Sequence, residues 1–169
     1  MQTKNVTLLA VIDEKNNRVL MIRKLRGMKG FSDAADGMAK DLFNLPGGKC
    51  MPDESFYDCA IRETIEETGI TPIGAKVVGQ LQFVWSDLTI VSPVFKTTQW
   101  SGKILCGDNN DECTVHWVDL DKIPYDNMWD DDKTWFPEML NGKFFHYKVE
   151  VTDEKNTALT PLPIEEVKR

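Results

Sequence analysis

The sequence has few of the residues that would suit a nucleic-acid partner or a histidine-bound metal. Its 169 residues include 20 lysines and arginines against 27 aspartates and glutamates, for a net charge of -7 at pH 7. An acidic chain has no basic field to attract a phosphodiester backbone, which argues against a nucleic-acid polymer as partner. The only two histidines, His116 and His146, are far apart in sequence, so an H-x-x-x-H metal site is absent.

Long apolar runs and paired cysteines are also missing. The first residues contain too short an apolar run for a signal peptide or a membrane span, so we expect no membrane partner. None of the cysteines shows C-x-x-C spacing, which favours reduced thiols in a cytoplasmic protein. They are Cys50, Cys59, Cys106 and Cys113.

What remains is typical of a globular protein. Hydrophobic residues make up 41% of the chain and charged residues 28%. The length predicts one domain, which we place at residues 1–152, followed by an extended or loose tail at 153–169 that contains Pro161 and Pro163. The pattern does not distinguish a monomer from a dimer.

The apolar periodicity predicts several short strands and two helices. Residues 7–12 and 18–23 are β-branched runs that flank a turn and predict a hairpin, and further strands are expected at 76–85, 90–100, 114–118 and 144–151. A short helix at 133–140 can be capped by Asp132. Residues 26–41 predict a long loop with one helical turn near 34–40. The expected fold class is α+β, with a mixed sheet sandwiched between helices.

The most informative segment is an acidic one, residues 48–70. Glu63, Glu66 and Glu67 stand at i, i+3 and i+4, so on a helix they crowd one face. Like charges at that spacing destabilise a helix by roughly 0.2–0.5 kcal/mol per pair, so we expect a cation to offset them. Three carboxylates offer hard oxygen ligands, which suit Mg²⁺, with Mn²⁺ as a possible substitute.

A solvated acidic helix is the usual meaning of such a charge run. Here Glu63 and Glu67 instead continue the apolar stripe of the helix's first half, so the inward face is apolar and then acidic. We expect the helix to begin after a cap at Asp53 or Ser55 and to end before Gly69.

These residues resemble the Nudix box, G-x5-E-x7-R-E-U-x-E-E-x-G-U, where U is a bulky aliphatic residue. One position departs from the pattern, because Thr64 stands at the first U. We expect this residue to weaken the packing of the helix without affecting the reaction. The resemblance implies a Nudix fold, with the box as a loop followed by a helix. The matching residues are Gly48, Glu54, Arg62, Glu63, Glu66, Glu67, Gly69 and Ile70.

A second segment, residues 128–137, is similar to the M-W-x-D-D-x-x-W-F-P segment of MutT-related hydrolases of oxidised purine nucleoside triphosphates, in the animal form. Asp130 replaces a proline of that pattern. From composition alone, the aromatics could equally pack together and the aspartates cap a helix. The resemblance covers residues 7–151, although 27–43 is longer here. Its matches are Met128, Trp129, Asp131, Asp132, Trp135, Phe136 and Pro137, with Asn44, Gly47, Gly48 and Lys49 ahead of the box.

For the purine base, this resemblance implies that Asn44, Asp131 and Asp132 hydrogen-bond its edge. Trp129 would stack on its face, and Phe83 would line the pocket. Two adjacent carboxyls cannot easily both ionise in an apolar pocket, so we expect one of them to be protonated and able to donate. This predicts an acid-side pH effect on KM that disappears when either aspartate is replaced by asparagine.

For the metal and the reaction, the resemblance implies that Glu63, Glu66 and Glu67 hold Mg²⁺ against the triphosphate, with the Gly47 carbonyl as a further ligand. Glu112 is either another metal-binding or base residue or an ordinary surface acid. We favour Glu63 as the general base, with Glu67 and Glu112 as the alternatives.

Three charged residues complete the predicted site. We expect Arg62 to orient a catalytic carboxylate rather than contact phosphate, and Glu54 to help hold Arg62 and the helix. Lys24 is a candidate phosphate or base contact, the alternative being an exposed lysine at a strand end.

The predicted function is Mg²⁺-dependent hydrolysis of a small molecule, an oxidised purine (deoxy)nucleoside triphosphate such as 8-oxo-dGTP or 2-hydroxy-dATP, to monophosphate and pyrophosphate. Three alternatives stay open. One is a Nudix hydrolase of an ordinary dNTP, a dinucleoside polyphosphate or a nucleotide sugar. The others are a non-catalytic nucleotide-binding module and an acidic interaction domain.

Overall fold

The computed structural model describes residues 1–105 and 112–167. Cys106, one of the four cysteines, lies outside the described residues. The elements are β1 (Gln2–Asp13), β2 (Arg18–Lys24), β3 (Phe43–Asn44), β4 (Gly47–Lys49), α1 (Phe56–Thr68), β5 (Ile70–Ile73), β6 (Lys76–Val84), β7 (Leu88–Thr97), β8 (Gln99–Gly102), β9 (Cys113–Asp119), α2 (Asp132–Leu140), β10 (Phe145–Asp153) and β11 (Asn156–Pro161).

Strand β1 is the centre of a curled, mixed sheet. It pairs in parallel with β7 and antiparallel with β2 and β4. Because successive side chains of a strand point to opposite faces, Leu8 and Ala10 join one apolar core while Leu9 and Val11 join a second. Helix α2 packs on the first core and α1 on the second, so the sheet lies between the helices. The predicted fold class is confirmed.

Three details of the prediction are wrong, one of which is the cap of α2, because Asp132 is the first residue of that helix and Asp131 stands at its N-cap. The expected strand at 90–100 is two strands, because β7 ends at Thr97 and β8 begins at Gln99 and pairs with β5. The expected helical turn near 34–40 consists of turns only. The reason is in the backbone, where Gly37 and Ala39 have φ values of 78° and 69°, which a right-handed helix excludes.

The C-terminal residues 156–167 lie against the domain. Strand β11 pairs antiparallel with β10. The ring Nδ1 of His146 lies 2.6 Å from the carbonyl oxygen of Pro163, and Val167 is buried. Residues 156–161 of the predicted tail therefore extend the sheet. Among the described residues, no helix is long and apolar enough to cross a membrane.

The prediction of reduced thiols is wrong for two cysteines. Cys50 and Cys59 form a disulfide, with their Cα atoms 5.2 Å apart. The pair is nine residues apart in sequence, so a search for C-x-x-C spacing misses it. The chain turns back between β4 and α1, and this turn brings the two cysteines together.

Helix α1 has the ends that the sequence predicts. The Ser55 hydroxyl accepts a hydrogen bond from the Asp58 amide at 3.0 Å, so Ser55 and not Asp53 is the N-cap. Gly69 ends the helix with φ 79°, in the left-handed region that favours glycine. The hydroxyl of Thr64 is buried but donates to the Ala60 carbonyl at 2.8 Å, so this polar residue inside the helix is satisfied.

Candidate active site

The site begins at the two glycines of strand β4. A Cβ atom on Gly47 would lie 1.8 Å from the carbonyl oxygen of Thr7, inside the neighbouring strand. A Cβ atom on Gly48 would lie 2.5 Å from the carboxyl carbon of Glu63. At Gly47 the clash is with backbone, so no side chain fits there, whereas a side chain at residue 48 would displace the Glu63 carboxylate.

Glu67 is the carboxylate most strongly affected by its surroundings. Its Oε1 accepts a hydrogen bond from the Gly47 amide at 2.7 Å. Burial raises the pKa of Glu67 to about 8, against the lowering effect of that hydrogen bond and of Lys24. The charges of Glu63 and Glu112 raise it further, so these three carboxylates interact.

Glu63 lies one turn earlier on the same helix. Burial raises its pKa, although Arg62 opposes the shift. Glu63, Glu67 and Glu112 line one cavity, and the cations of Lys24, Arg26, Lys29 and Lys49 stand in the same wall.

Glu66 is not part of this group. Its side chain is 56% exposed and meets Arg62 at 3.2 Å on the outer side of the helix. The structure therefore brings together Glu63, Glu67 and Glu112 of the predicted metal ligands, with Gly47 in the same wall, and leaves Glu66 outside the cavity.

Arg62 holds the helix against the preceding loop. It forms a two-point ion pair with Glu54, at 2.8 Å from Nε to Oε2 and 2.9 Å from Nη2 to Oε1. Its remaining N–H groups donate to Glu63 at 2.9 Å, to Glu66 at 3.2 Å and to the Lys49 carbonyl at 3.1 Å. All five N–H groups of the guanidinium thus have acceptors within the protein.

The donor set fits a divalent cation. Burial raises the pKa of both Glu63 and Glu67 despite the opposing effects of Arg62, the Gly47 amide and Lys24, so the protein compensates their charged forms only in part. A divalent ion would supply that compensation, and carboxylate oxygens are the ligands that hard cations prefer. Glu63, Glu67 and Glu112 line the cavity in which such an ion would bind.

A second cavity, largely apolar, adjoins the acidic one. Three aromatic side chains pack edge to face or tilted in its wall. The ring centroids of Phe83 and Trp129 are 5.9 Å apart, and those of Trp85 and Trp129 are 6.0 Å apart. Asn44 and Asp132 also line this cavity, and Lys24 lines both cavities.

The two adjacent aspartates differ in position. Asp132 lines the apolar cavity and is almost fully buried. Asp131 lies behind it, with its Oδ2 accepting a hydrogen bond from the indole of Trp135 at 2.9 Å. Burial raises the pKa of both carboxyls, and the nearby charge of Asp131 raises that of Asp132 further. The pair therefore favours keeping a proton on Asp132.

Several lining residues were not predicted from the sequence. Trp85 follows Phe83 by two positions along the chain, so the period-2 alternation of a strand could have found it. Met28 and Phe31 come from the long loop before β3, and no sequence pattern signals their position in the cavity wall.

A family model described as the NUDIX domain matches residues 1–139. The chain therefore belongs to the Nudix family, whose members generally depend on a divalent metal.

Curated relatives and a solved structure extend the similarity. An oxidized purine nucleoside triphosphate hydrolase from Danio rerio is 34% identical over 129 residues, 75% of this chain and 80% of that protein. The Mus musculus protein of the same name is 30% identical over 139 residues, 80% of this chain and 86% of that protein. A MutT protein from Bacillus halodurans superposes with a TM-score of 0.74 at 25% identity, covering 95% of this chain and 99% of that one.

Proposed function

We infer that the protein is a hydrolase of phosphoric anhydrides that converts oxidised purine (deoxy)nucleoside triphosphates, such as 8-oxo-dGTP and 2-hydroxy-dATP, to monophosphate and pyrophosphate. The observation that carries this is the joining of two cavities. One is apolar and aromatic, the other contains carboxylates and cations, and Lys24, Gly47 and Gly48 line both. A nucleotide with its base in the first would extend its phosphates into the second. The relatives' names, oxidized purine nucleoside triphosphate hydrolase, agree with this substrate.

We assign the anhydride chemistry to the acidic cavity. A bound Mg²⁺, or Mn²⁺ in its place, would neutralise charge on the triphosphate. Glu63, Glu67 and Glu112 would be its ligands, and the Gly47 carbonyl could add one more. Glu66 would act only through Arg62. The cations of Lys24, Arg26 and Lys29 would attract the phosphate chain into the same cavity.

A general base must take a proton from the attacking water. Glu63 is our candidate, because it faces the same cavity as Glu67 and its carboxylate is oriented by Arg62 at 2.9 Å. Arg62 is catalytic only in the sense of holding that carboxylate, since all of its N–H groups are used within the protein.

We assign base recognition to the apolar cavity. Trp129 and Phe83 offer ring surfaces on which a purine can pack, and such stacking contributes about 1–3 kcal/mol per base. Asp132 would donate through its retained proton, while Asn44 offers an amide to the base edge. A neutral carboxyl that can both donate and accept suits an oxidised purine, whose oxidation changes the donors and acceptors on its edge.

The decisive experiment is a substrate panel. Initial rates are measured with Mg²⁺ for 8-oxo-dGTP, 2-hydroxy-dATP, dGTP and dATP, with pyrophosphate and phosphate release scored separately. We expect pyrophosphate as the product and a higher kcat/KM for the oxidised forms. Equal kcat/KM for oxidised and unmodified forms would overturn the substrate assignment. Release of phosphate instead of pyrophosphate would overturn the assigned products.

Location in the cytoplasm and the distinction between monomer and dimer stay predictions. Neither property affects the proposed reaction or the substrate panel that tests it.

A further inference from the structure

The loop of residues 27–42 forms a closed clasp through its own backbone contacts. The Met28 amide donates to the Met38 carbonyl at 2.7 Å, and the Gly37 amide donates to the Met28 carbonyl at 2.8 Å. A Cβ atom on Gly27 would lie 2.3 Å from the Gly37 carbonyl oxygen, so the two arms touch backbone to backbone. The clasp has a defined shape instead of being an open loop.

Side chains from two turns of the sheet hold the clasp in place. The Ala34 amide donates to Asp87 at 3.1 Å, in the turn between β6 and β7. The Ala39 amide donates to Glu154 at 3.0 Å, in the turn between β10 and β11. Ala35 and Ala39 of the clasp are buried in the apolar core. The clasp is therefore fixed to the same body that carries Phe83 and Trp129.

Lys49 of strand β4 holds the tip of the clasp. Its Nζ donates to the Lys29 carbonyl at 2.9 Å and to the Gly30 carbonyl at 3.1 Å. The same Nζ lies 4.3 Å from the ring centroid of Phe31, close enough for a cation–π interaction. A Cβ atom on residue 30 would lie 2.8 Å from this Nζ, so glycine there gives the ammonium its access.

Phe31 stands where the two cavities meet. It lines both the aromatic cavity and the acidic one, together with Met28. In a nucleotide, the sugar is the part that connects base and phosphates. If the base occupies one cavity and the phosphates the other, the sugar lies at this junction, against an aromatic ring and a thioether.

From this position, and resting on the proposed function, we propose that Phe31 is a specificity-determining residue that packs on the substrate's sugar and favours deoxyribose over ribose, and that Lys49 positions it. A 2′-hydroxyl placed against Phe31 and Met28 would lose water without gaining a hydrogen-bond partner from either side chain. An apolar wall discriminates only moderately against an added hydroxyl, so we expect a preference of roughly ten-fold in kcat/KM.

The test is a panel of four substrates: 8-oxo-dGTP, 8-oxo-GTP, dGTP and GTP. The ratio of kcat/KM for the oxidised purine to kcat/KM for the unmodified purine reports on the proposed function. The ratio of kcat/KM for the deoxyribose substrate to kcat/KM for the ribose substrate, here called the sugar ratio, reports on the role of Phe31. The two can therefore fail separately. Where no nucleotide is hydrolysed, the same ratio is taken from the four dissociation constants measured by calorimetry.

In Phe31→Ala we expect KM for 8-oxo-dGTP to rise about ten-fold with kcat within a factor of about three, and the sugar ratio to fall to near one. Phe31→Leu, which keeps an apolar side chain, should retain part of the ratio. A wild-type ratio of one, or an unchanged ratio in Phe31→Ala, would overturn the proposal.

The positioning role of Lys49 has its own control. Lys49→Met should lower the sugar ratio as Phe31→Ala does, and Lys49→Arg should restore it, since a guanidinium can donate to both carbonyls. If Lys49→Met raises KM equally for the deoxyribose and ribose substrates, Lys49 contacts phosphate and does not position Phe31.

Discussion

Arg62 and Glu54 form a two-point ion pair that joins helix α1 to the loop before it, with donor–acceptor distances of 2.8 and 2.9 Å. The hydrogen bonds from Arg62 hold the pKa of Glu54 down to about 2. Glu54 also accepts from the Met51 amide at 3.0 Å, so one carboxylate fixes both the loop and the guanidinium. Through Arg62, this pair sets the position of Glu63.

Replacing Glu54 should therefore affect both stability and activity. In Glu54→Gln we expect a lower melting temperature at pH 7 and a kcat about 10–100-fold lower, the usual cost of removing a residue that orients a ligand. Because the folded pKa of Glu54 is below its unfolded value, its contribution to stability is present above about pH 4.5 and is lost as the pH falls toward 2. The melting temperature of Glu54→Gln should thus change less than that of the wild type across this range.

The matched control is Glu66→Gln, because Glu66 also meets Arg62 but is 56% exposed. An exposed i, i+4 pair contributes about 0.3–0.5 kcal/mol, so this variant should melt within about 2 °C of the wild type. Equal losses of stability in the two variants would contradict the special role of Glu54.

Glu67→Gln should remove most of the activity and leave the fold intact. The amide oxygen of glutamine can still accept from the Gly47 amide, but the charge that would hold a cation is gone. We expect kcat to fall about 10²–10⁴-fold at saturating Mg²⁺, with an unchanged circular dichroism spectrum. Activity near that of the wild type would refute the assignment of Glu67 to the metal site.

The raised pKa of Glu67 predicts how a metal and pH act together. Without metal, the folded state binds a proton more tightly than the unfolded state, so stability should fall as the pH rises from about 4.5 to about 8. A divalent ion needs the ionised carboxylate, so its stabilising effect should grow over the same range. Melting temperatures with Mg²⁺ and with EDTA, measured from pH 6 to 9, should diverge in the wild type and stay closer together in Glu67→Gln.

Much of the acidic site could be predicted because its signals are local. The Glu63 and Glu67 spacing, the Ser55 cap and the Gly69 stop all depend on helix geometry within one segment, and the structure confirms the helix. Glu66 shows the limit of this reasoning. The i, i+3, i+4 pattern groups it with the other two, but its side chain is 56% exposed and accepts a hydrogen bond from Arg62 Nη1 at 3.2 Å.

Features that depend on contacts distant in sequence could not be predicted. Phe31 reaches the junction of the two cavities only because Asp87, Glu154 and Lys49 hold its loop from three other elements. Thr97, where β7 ends, also makes a contact distant in sequence, since its hydroxyl donates to the Ile73 carbonyl at the end of β5. Neither contact leaves a periodic signal.

The aspartate pair predicts a pH dependence of substrate binding. Burial and the charge of Asp131 raise the pKa of Asp132, so Asp132 keeps its proton, and can donate it to a base, until the pH rises through that pKa. KM for 8-oxo-dGTP should then increase as the pH rises. In Asp132→Asn the amide donates at every pH, so KM should no longer depend on this group.

Asp131→Asn is the informative partner of that variant. Its amide oxygen can still accept from Trp135, but the like charge beside Asp132 is removed. The rise in KM should therefore move to lower pH, whereas the sequence alone predicts that it disappears in this variant too. Identical pH profiles of KM for the wild type and both variants would show that the pair does not read the base.

The disulfide between Cys50 and Cys59 predicts a redox-dependent stability. Closing a loop of about ten residues contributes roughly 2–3 kcal/mol through the unfolded state, equivalent to about 5–10 °C in melting temperature for a chain of this size. Dithiothreitol should lower the melting temperature of the wild type by this amount, since Cys50 is only partly buried and a thiolate can reach it.

The double variant Cys50→Ser/Cys59→Ser provides the control, because its melting temperature should be low and insensitive to dithiothreitol. A reductant that shifts the double variant as much as the wild type would show that the effect comes from elsewhere in the chain.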